Sequence, residues 1–281
     1  MPSTAEVRRR IEAIEDEKYR LCFMYQYLIA GRISEVCGKY APRGFEALET
    51  EFAFEGKTYP AVLFAVKTAK RKSERGWTLR PAAVPLDPEY EPWARPLLNC
   101  FRKAGKDHPF MFASNPKTSK RYVQWAAEEA FGGLEWPMKE YSKPIEVEIG
   151  KGRIVREAIN QRNQEVYLVK LEDGGRKWFT KIREGVIRDH APVGERWNRF
   201  RSHCLRKRRS LDLMLLYKFG AMDLKAYGGW EEKGSASHIT DSMKYYLHLD
   251  IGEARENVEI LKQIADKYFY KLLVPIKKIV G

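Results

Sequence analysis

Five short stretches of this sequence carry side chains able to act on a phosphate. In Gly31-Arg32-Ile33-Ser34-Glu35 an arginine and a glutamate stand three residues apart, so on a helix they share a face. A carboxylate in that place can hold a guanidinium from behind while its fork faces an anion; the same spacing also makes an ordinary surface ion pair. His203-Cys204-Leu205-Arg206 repeats the spacing with an imidazole and a second guanidinium. Lys67 stands where the apolar run Ala61 to Val66 meets a basic segment, a place where most lysines are simply exposed. Gly228-Gly229-Trp230 reads as a turn followed by an aromatic that can donate an N–H or pack in a core. Tyr245-Tyr246-Leu247-His248-Leu249 offers two phenols, about 100° apart if helical, so one alone can face a given point. The chemistry open to such a set is attack of a hydroxyl on a phosphate ester whose charge the arginines stabilise.

The whole chain suits a polyanionic partner. Its 281 residues carry 51 Lys and Arg against 38 Asp and Glu, a formal charge of +13. Cations that neutralise phosphates supply most non-specific affinity for nucleic acid. A hydrophobic fraction of 44% and 12% aromatics are those of a folded protein and argue against wholesale disorder. Cys22, Cys37, Cys100 and Cys204 are scattered without a C-x-x-C pair, which disfavours a zinc site or a disulfide framework and suits a reducing, cytoplasmic setting. Leu21 to Gly31 is too short to span a bilayer and has Gln26 in its middle, and no leader pattern opens the chain.

The elements that must position these groups are readable in outline. Ser3 and Glu6 form an S-x-x-E capping box before Val7, Ile11 and Ile14 at helical spacing. Further helices are expected from Glu17 to Ile29, and from Arg32 to before Pro42. Phe52 to Phe54, Ala61 to Val66 and Trp77 to Leu86 read as three strands, the last two joined by a basic turn from Thr68 to Arg75. Helical texture returns over Pro88 to Ala104 and Thr118 to Phe131. From Pro144 to His190 the rhythm is again β: Glu146 to Ile149, Arg153 to Ile159, Glu165 to Leu171 and Lys177 to Ile187 around glycine turns. Helices are expected again over Trp197 to Phe219, Ile239 to Leu249 and Glu253 to Leu273.

Read from N to C, the order is Arg32 with Glu35, Lys67 in a hairpin, His203-x-x-Arg206, Gly229-Trp230, then Tyr246. That order resembles the catalytic domain of the tyrosine recombinases, the phage-integrase family. Arg32-Ile33-Ser34-Glu35, Val84-Pro85-Leu86 after the hairpin, and Tyr246-Leu247-His248-Leu249 are similar to the family's runs at the same places. The resemblance covers nearly the whole chain except Pro144 to His190. It implies an α+β fold: a mainly α-helical catalytic domain with a three-stranded antiparallel sheet (1–143 and 191–281), plus a small inserted β-barrel-like module (144–190). It also implies a site-specific recombinase or integrase that breaks and rejoins double-stranded DNA through a 3′-phosphotyrosyl intermediate. Arg32 and Arg206 would clamp the phosphate, with Glu35 supporting. His203 and Trp230 would donate hydrogen bonds, Lys67 would protonate the leaving oxygen, and Tyr246 would attack. Lys70, Arg71, Lys72, Lys207 and Arg208 would meet the DNA backbone. Neither metal nor cofactor is expected, and the protein would act as a dimer or tetramer on DNA.

The sequence departs from the family's pattern in places. Ala30-Gly31-Arg32 is one residue tighter than the usual Thr-Gly-x-Arg. Lys70 competes with Lys67, His238 with Trp230 across a long gap, and Tyr245 with Tyr246. The N-terminal clamp domain usual in the family has no counterpart before the first catalytic helix. The insert is basic (Lys151, Arg153, Arg156, Arg162, Lys170, Arg176, Lys177, Lys181, Arg183 and Arg188) with Tyr167, Trp178 and Phe179 interleaved. It can touch DNA or a partner in the clamp's stead, or be a structural insertion with its own core. The tail, Leu272 to Val280, can dock on a neighbouring protomer or on its own domain. A type IB topoisomerase and a catalytically silent DNA-binding protein are the alternatives.

Overall fold

Helix α2 (Glu17–Leu28) lies at the centre of the larger domain, because every residue from Leu21 to Leu28 is buried and none offers a solvent face. A helix apolar all round finds partners on all sides. The computed structural model describes residues 1–73, 76–141, 145–147, 150–160, 162–180, 192–229 and 258–280, with side chains except at 69–78, 137–151 and 192–196. The chain divides into two units, Pro2–Leu134 with Phe200–Gly281, and Glu135–Arg199.

In the larger unit α1 (Thr4–Glu12) precedes α2, and Ser3 Oγ accepts from the Glu6 N–H at 3.2 Å, the first half of the capping box. The second half is absent, since the Glu6 carboxylate turns to Arg9 and Arg10 at 2.9 and 3.0 Å. After α3 (Ile33–Val36), strands β1 (Ala47–Phe54), β2 (Lys57–Ser73) and β3 (Gly76–Pro85) form the expected antiparallel sheet in the order β1-β2-β3. The segment read as a basic turn is mostly strand: β2 runs on to Ser73, with a register shift between Lys67 and Lys72. Alternating polar residues in an extended arm carry no apolar signal, so they read as loop.

Helices α4 (Ala94–Ala104) and α5 (Pro116–Ala130) follow, and after the insert α6 (Ser202–Leu215), α7 (Ala221–Gly228), α8 (Val258–Phe269) and α9 (Lys277–Val280). Tyr25 of α2, Phe64 of β2, Phe101 of α4 and Phe110 form the aromatic centre, ring centroids 5.1–5.7 Å apart. Helix α8 lies on the sheet, with Phe269 stacked on Phe52 at 4.1 Å and Tyr268 donating to Pro81 O at 3.0 Å. The tail packs on its own domain: Ile276 N–H donates to Glu89 O at 2.7 Å, and Leu272 and Ile279 are buried. The helix expected over Ile239 to Leu249 lies outside the described residues.

In the smaller unit β4 (Glu135–Tyr141) pairs with β9 (Pro192–Arg199) as an antiparallel ribbon. The expected helix from Trp197 therefore starts only at Ser202, because 192–199 are taken up by that pairing. Strands β5 (Ile145–Val147), β6 (Gly150–Ile159), β7 (Glu165–Leu171) and β8 (Arg176–Phe179) form a meander in sequence order. Among the described residues this sheet is open and not closed into a barrel. Its core is Val169 and Phe179, with Ile154, Tyr167 and Leu171 packed against them.

Candidate active site

The end of α2 sets the geometry of the site. Ala30 N–H donates to Tyr27 O and Gly31 N–H to Gln26 O, the two bonds of a Schellman stop, with Ala30 left-handed at φ 48°. A Cβ makes that conformation cost about 1 kcal/mol, yet it brings the Ala30 carbonyl round to accept from Arg206 NH1. Gln26, buried within α2, ties the next piece in place. Its amide donates to Ser202 O at 3.2 Å and to Gly31 O at 3.4 Å, seating the start of α6 beside the Arg32 loop.

Glu35 is the hub. Its carboxylate is 1% exposed and binds Arg32 NH1 at 2.8 Å, the Arg32 N–H at 2.9 Å and Arg80 NH2 at 3.3 Å, with Arg206 NH1 at 3.8 Å. The pair seen in the sequence is thus no surface ion pair. Three guanidiniums from α3, β3 and α6 converge on one buried carboxylate, a local excess of positive charge. Arg206 also donates to Gly228 O at 3.1 Å, and Arg80 NH1 donates to Tyr227 O, so both arginines grip the end of α7. Burial first, then the neighbouring Arg80, pulls the Arg206 guanidinium down to about 9; Glu35 opposes that shift and Arg32 adds to it. Among the described residues one carboxylate faces these three guanidiniums, so the desolvation of the cluster is costly.

Arg80 escaped the sequence reading. The signal was present: a single charge inside the apolar strand Trp77 to Leu86, where a buried arginine needs a partner. Among the described residues its Nε has no hydrogen-bond partner, and neither does the buried Thr68 Oγ1. Both side chains press on Gly229, the left-handed stop of α7 at φ 62°; a Cβ there would lie 2.9 Å from Arg80 Cδ and 3.3 Å from Thr68 Cγ2. Gly229→Ala is therefore expected to destabilise the protein by about 1–3 kcal/mol from strain and crowding together. Urea unfolding of the variant measures it, and an unchanged midpoint would mean that the turn is slack.

His203 stands exposed one turn before the buried Arg206, so the histidine faces solvent while the arginine turns inward. Lys67 lies in β2 opposite Leu79, and its ammonium pairs with Glu46 Oε1 at 2.7 Å. Glu46 is itself buried and accepts from the Arg43 N–H at 2.9 Å, a partner that the sequence reading missed. Burial, then Glu46, lifts the Tyr25 phenol well above its usual range; Arg80 opposes this and Glu35 adds to it. Tyr25 thus lies in electrostatic reach of both carboxylates that hold the cations.

Lys207 is exposed, as a DNA contact requires, but Arg208 is tied to Asp212 at 2.7 Å with little exposure. Lys70, Arg71 and Lys72 lie on β2, their side chains outside the described set. Trp230, His238, Tyr245 and Tyr246 all lie outside the described residues. The structure brings together Arg32, Glu35 and Arg206, and adds Arg80.

No helix among the described residues is long and apolar enough to cross a membrane. Comparison with protein-family models, characterised proteins and solved structures gives no match.

Proposed function

We propose that this chain is a DNA strand-transfer enzyme of the tyrosine recombinase kind, cleaving and rejoining DNA through a 3′-phosphotyrosyl intermediate. The observation that carries the reading is the convergence of Arg32, Arg80 and Arg206 on the buried Glu35. These segments are far apart in sequence, and three guanidiniums around one carboxylate among the described residues suit a further anion. A phosphodiester is the anion that the chain's +13 charge attracts. Arg32 and Arg206 hold the non-bridging oxygens, Arg80 holds Glu35 and the α7 turn, and His203 or Trp230 donates a further bond. Tyr246 attacks phosphorus, and its proton leaves to solvent or a nearby base. Lys67 protonates the departing 5′ oxygen once its ammonium is released from Glu46. The protein works on double-stranded DNA in the cytoplasm as a dimer or tetramer.

The Lys67–Glu46 pair favours the second reading, a silent DNA-binding protein on the same fold, because the carboxylate competes with substrate for the ammonium. A trapping assay on nicked duplex DNA, with supercoiled plasmid and a random-site pool as further substrates, separates the two. The expected result is a covalent protein–DNA adduct in wild type and Tyr245→Phe, absent in Tyr246→Phe. Tight binding with no adduct from any chain would leave the silent protein. Relaxation of plasmid without exchange would make the enzyme a type IB topoisomerase.

A further inference from the structure

The inserted unit has two unlike sheet faces. Register places Ile154, Val169 and Lys177 in one cross-strand row and Tyr167 with Phe179 in the next, the side that forms the core. The opposite side of β6, β7 and β8 carries the row Arg153, Lys170, Arg176 and the row Arg156, Leu168, Trp178. All four cations are exposed and Trp178 is 47% exposed. Ala158 and Val166 also lie on this side, so the positions of β6–β8 there with described side chains hold no carboxylate.

Two features of that face have no use in the module's own folding. Like charges directly opposite across strands repel, and here three stand side by side within about 10 Å. A tryptophan left half in water beside Leu168 gains nothing from the core, which Val169 and Phe179 fill from the other side. Cations in a row with an aromatic among them form a surface on which phosphates are neutralised and a base stacks. The bases of an intact duplex present only their edges, so the exposed indole favours unpaired nucleotides.

We propose that the outward face of β6–β8 binds an unpaired stretch of DNA. Arg153, Lys170 and Arg176 take its phosphates and Trp178 stacks on a base. The choice of DNA over RNA rests on the function proposed above; the surface itself does not.

The test is fluorescence anisotropy of the full-length protein with a labelled 20-nucleotide single strand and with the same sequence as a duplex. Trp178→Ala is expected to weaken single-strand binding about tenfold, with Trp178→Phe near wild type and duplex binding little changed. The triple variant Arg153→Gln, Lys170→Gln, Arg176→Gln is expected to flatten the single-strand salt dependence by about 2 in log Kd against log salt. Circular dichroism checks that each variant keeps its strands.

Unchanged single-strand affinity in both variants would overturn the proposal. So would a loss shared equally by the duplex with no effect of Trp178→Ala, which would make the face a duplex-backbone contact. Displacement of the oligonucleotide by phosphatidylserine vesicles, through the same residues, would assign the face to an anionic membrane. A matching RNA strand bound more tightly than DNA would overturn the choice of nucleic acid. The covalent trapping assay reads the catalytic proposal separately, since Trp178 is not among the residues that proposal uses.

Discussion

Glu35→Gln is expected to lower the unfolding free energy by about 3–5 kcal/mol and, on the function proposed above, to abolish strand cleavage. The amide keeps the size of the carboxylate and can still accept from the Arg32 N–H, so any loss reports charge rather than shape. Arg80 and Arg206 are 1% and 4% exposed, and without the Glu35 charge two neighbouring buried guanidiniums repel each other. Urea denaturation measures the loss; a change below about 1 kcal/mol would mean that Glu35 does not neutralise the cluster.

A second arm tests the anion site directly. A few millimolar sulfate, against chloride at equal ionic strength, is expected to raise the wild-type melting temperature at pH 7 and much less at pH 10. The sign follows from Arg206, whose folded-state value of about 9 lies well below the ordinary guanidinium range. Below pH 9 both folded and unfolded chains hold the proton, and the folded state bears the full burden of the buried charge. Above about 9 the folded chain loses the proton while the unfolded chain keeps it, so that burden lifts as pH rises. Sulfate binds the protonated form, so its stabilisation is present below 9 and fades through it.

Asp212→Ala should cost about as much, 3–5 kcal/mol, for a different reason. Asp212 is fully buried in α6 and accepts from Thr4 Oγ1 at 2.7 Å, from the Tyr27 hydroxyl, and from Arg208 Nε at 2.9 Å. Arg209, 2% exposed, lies between the rings of Tyr217 and Tyr27 at 4.8 and 5.4 Å, with Nε and NH1 unpartnered among the described residues. Alanine leaves two hydroxyls and the Arg208 guanidinium without their acceptor, while Asp212→Asn retains an oxygen and should lose roughly half as much. The network also fixes the rotation of α6, since Arg206, Arg209 and Asp212 follow one another at three-residue steps. If it positions Arg206, the sulfate-induced melting shift disappears in Asp212→Asn even where the protein stays folded. A retained shift would make the network structural only.

The sequence made part of this site legible and hid the rest for identifiable reasons. Arg32 with Glu35, and His203 with Arg206, are local pairs whose helical spacing is visible without the fold. Lys67 was visible as the charge ending an apolar strand. Arg80 and Glu46 were hidden, because each matters through a partner that only tertiary packing brings near. Helix periodicity found α1, α2 and α5 to within a few residues. The ribbon of β4 with β9 failed to show: its strands lie more than fifty residues apart, and Pro137 interrupts the first. The strength of the tyrosine motif in the sequence has no structural counterpart in the described residues, since 230–257 lie outside them.

The way the insert joins the larger domain has a consequence for how the protein arose. Leu134 O accepts from the Phe200 N–H at 2.9 Å, so the host chain leaves and returns at adjacent points. A two-residue hairpin turn is enough to close such a gap. The sixty-five residues between them can thus be acquired, exchanged or shed as a cassette at a single locus, with no register change in the host domain. Replacing residues 135–199 by a bare turn at this corner would leave both partners of the Leu134–Phe200 bond and the arginine cluster in the host unit.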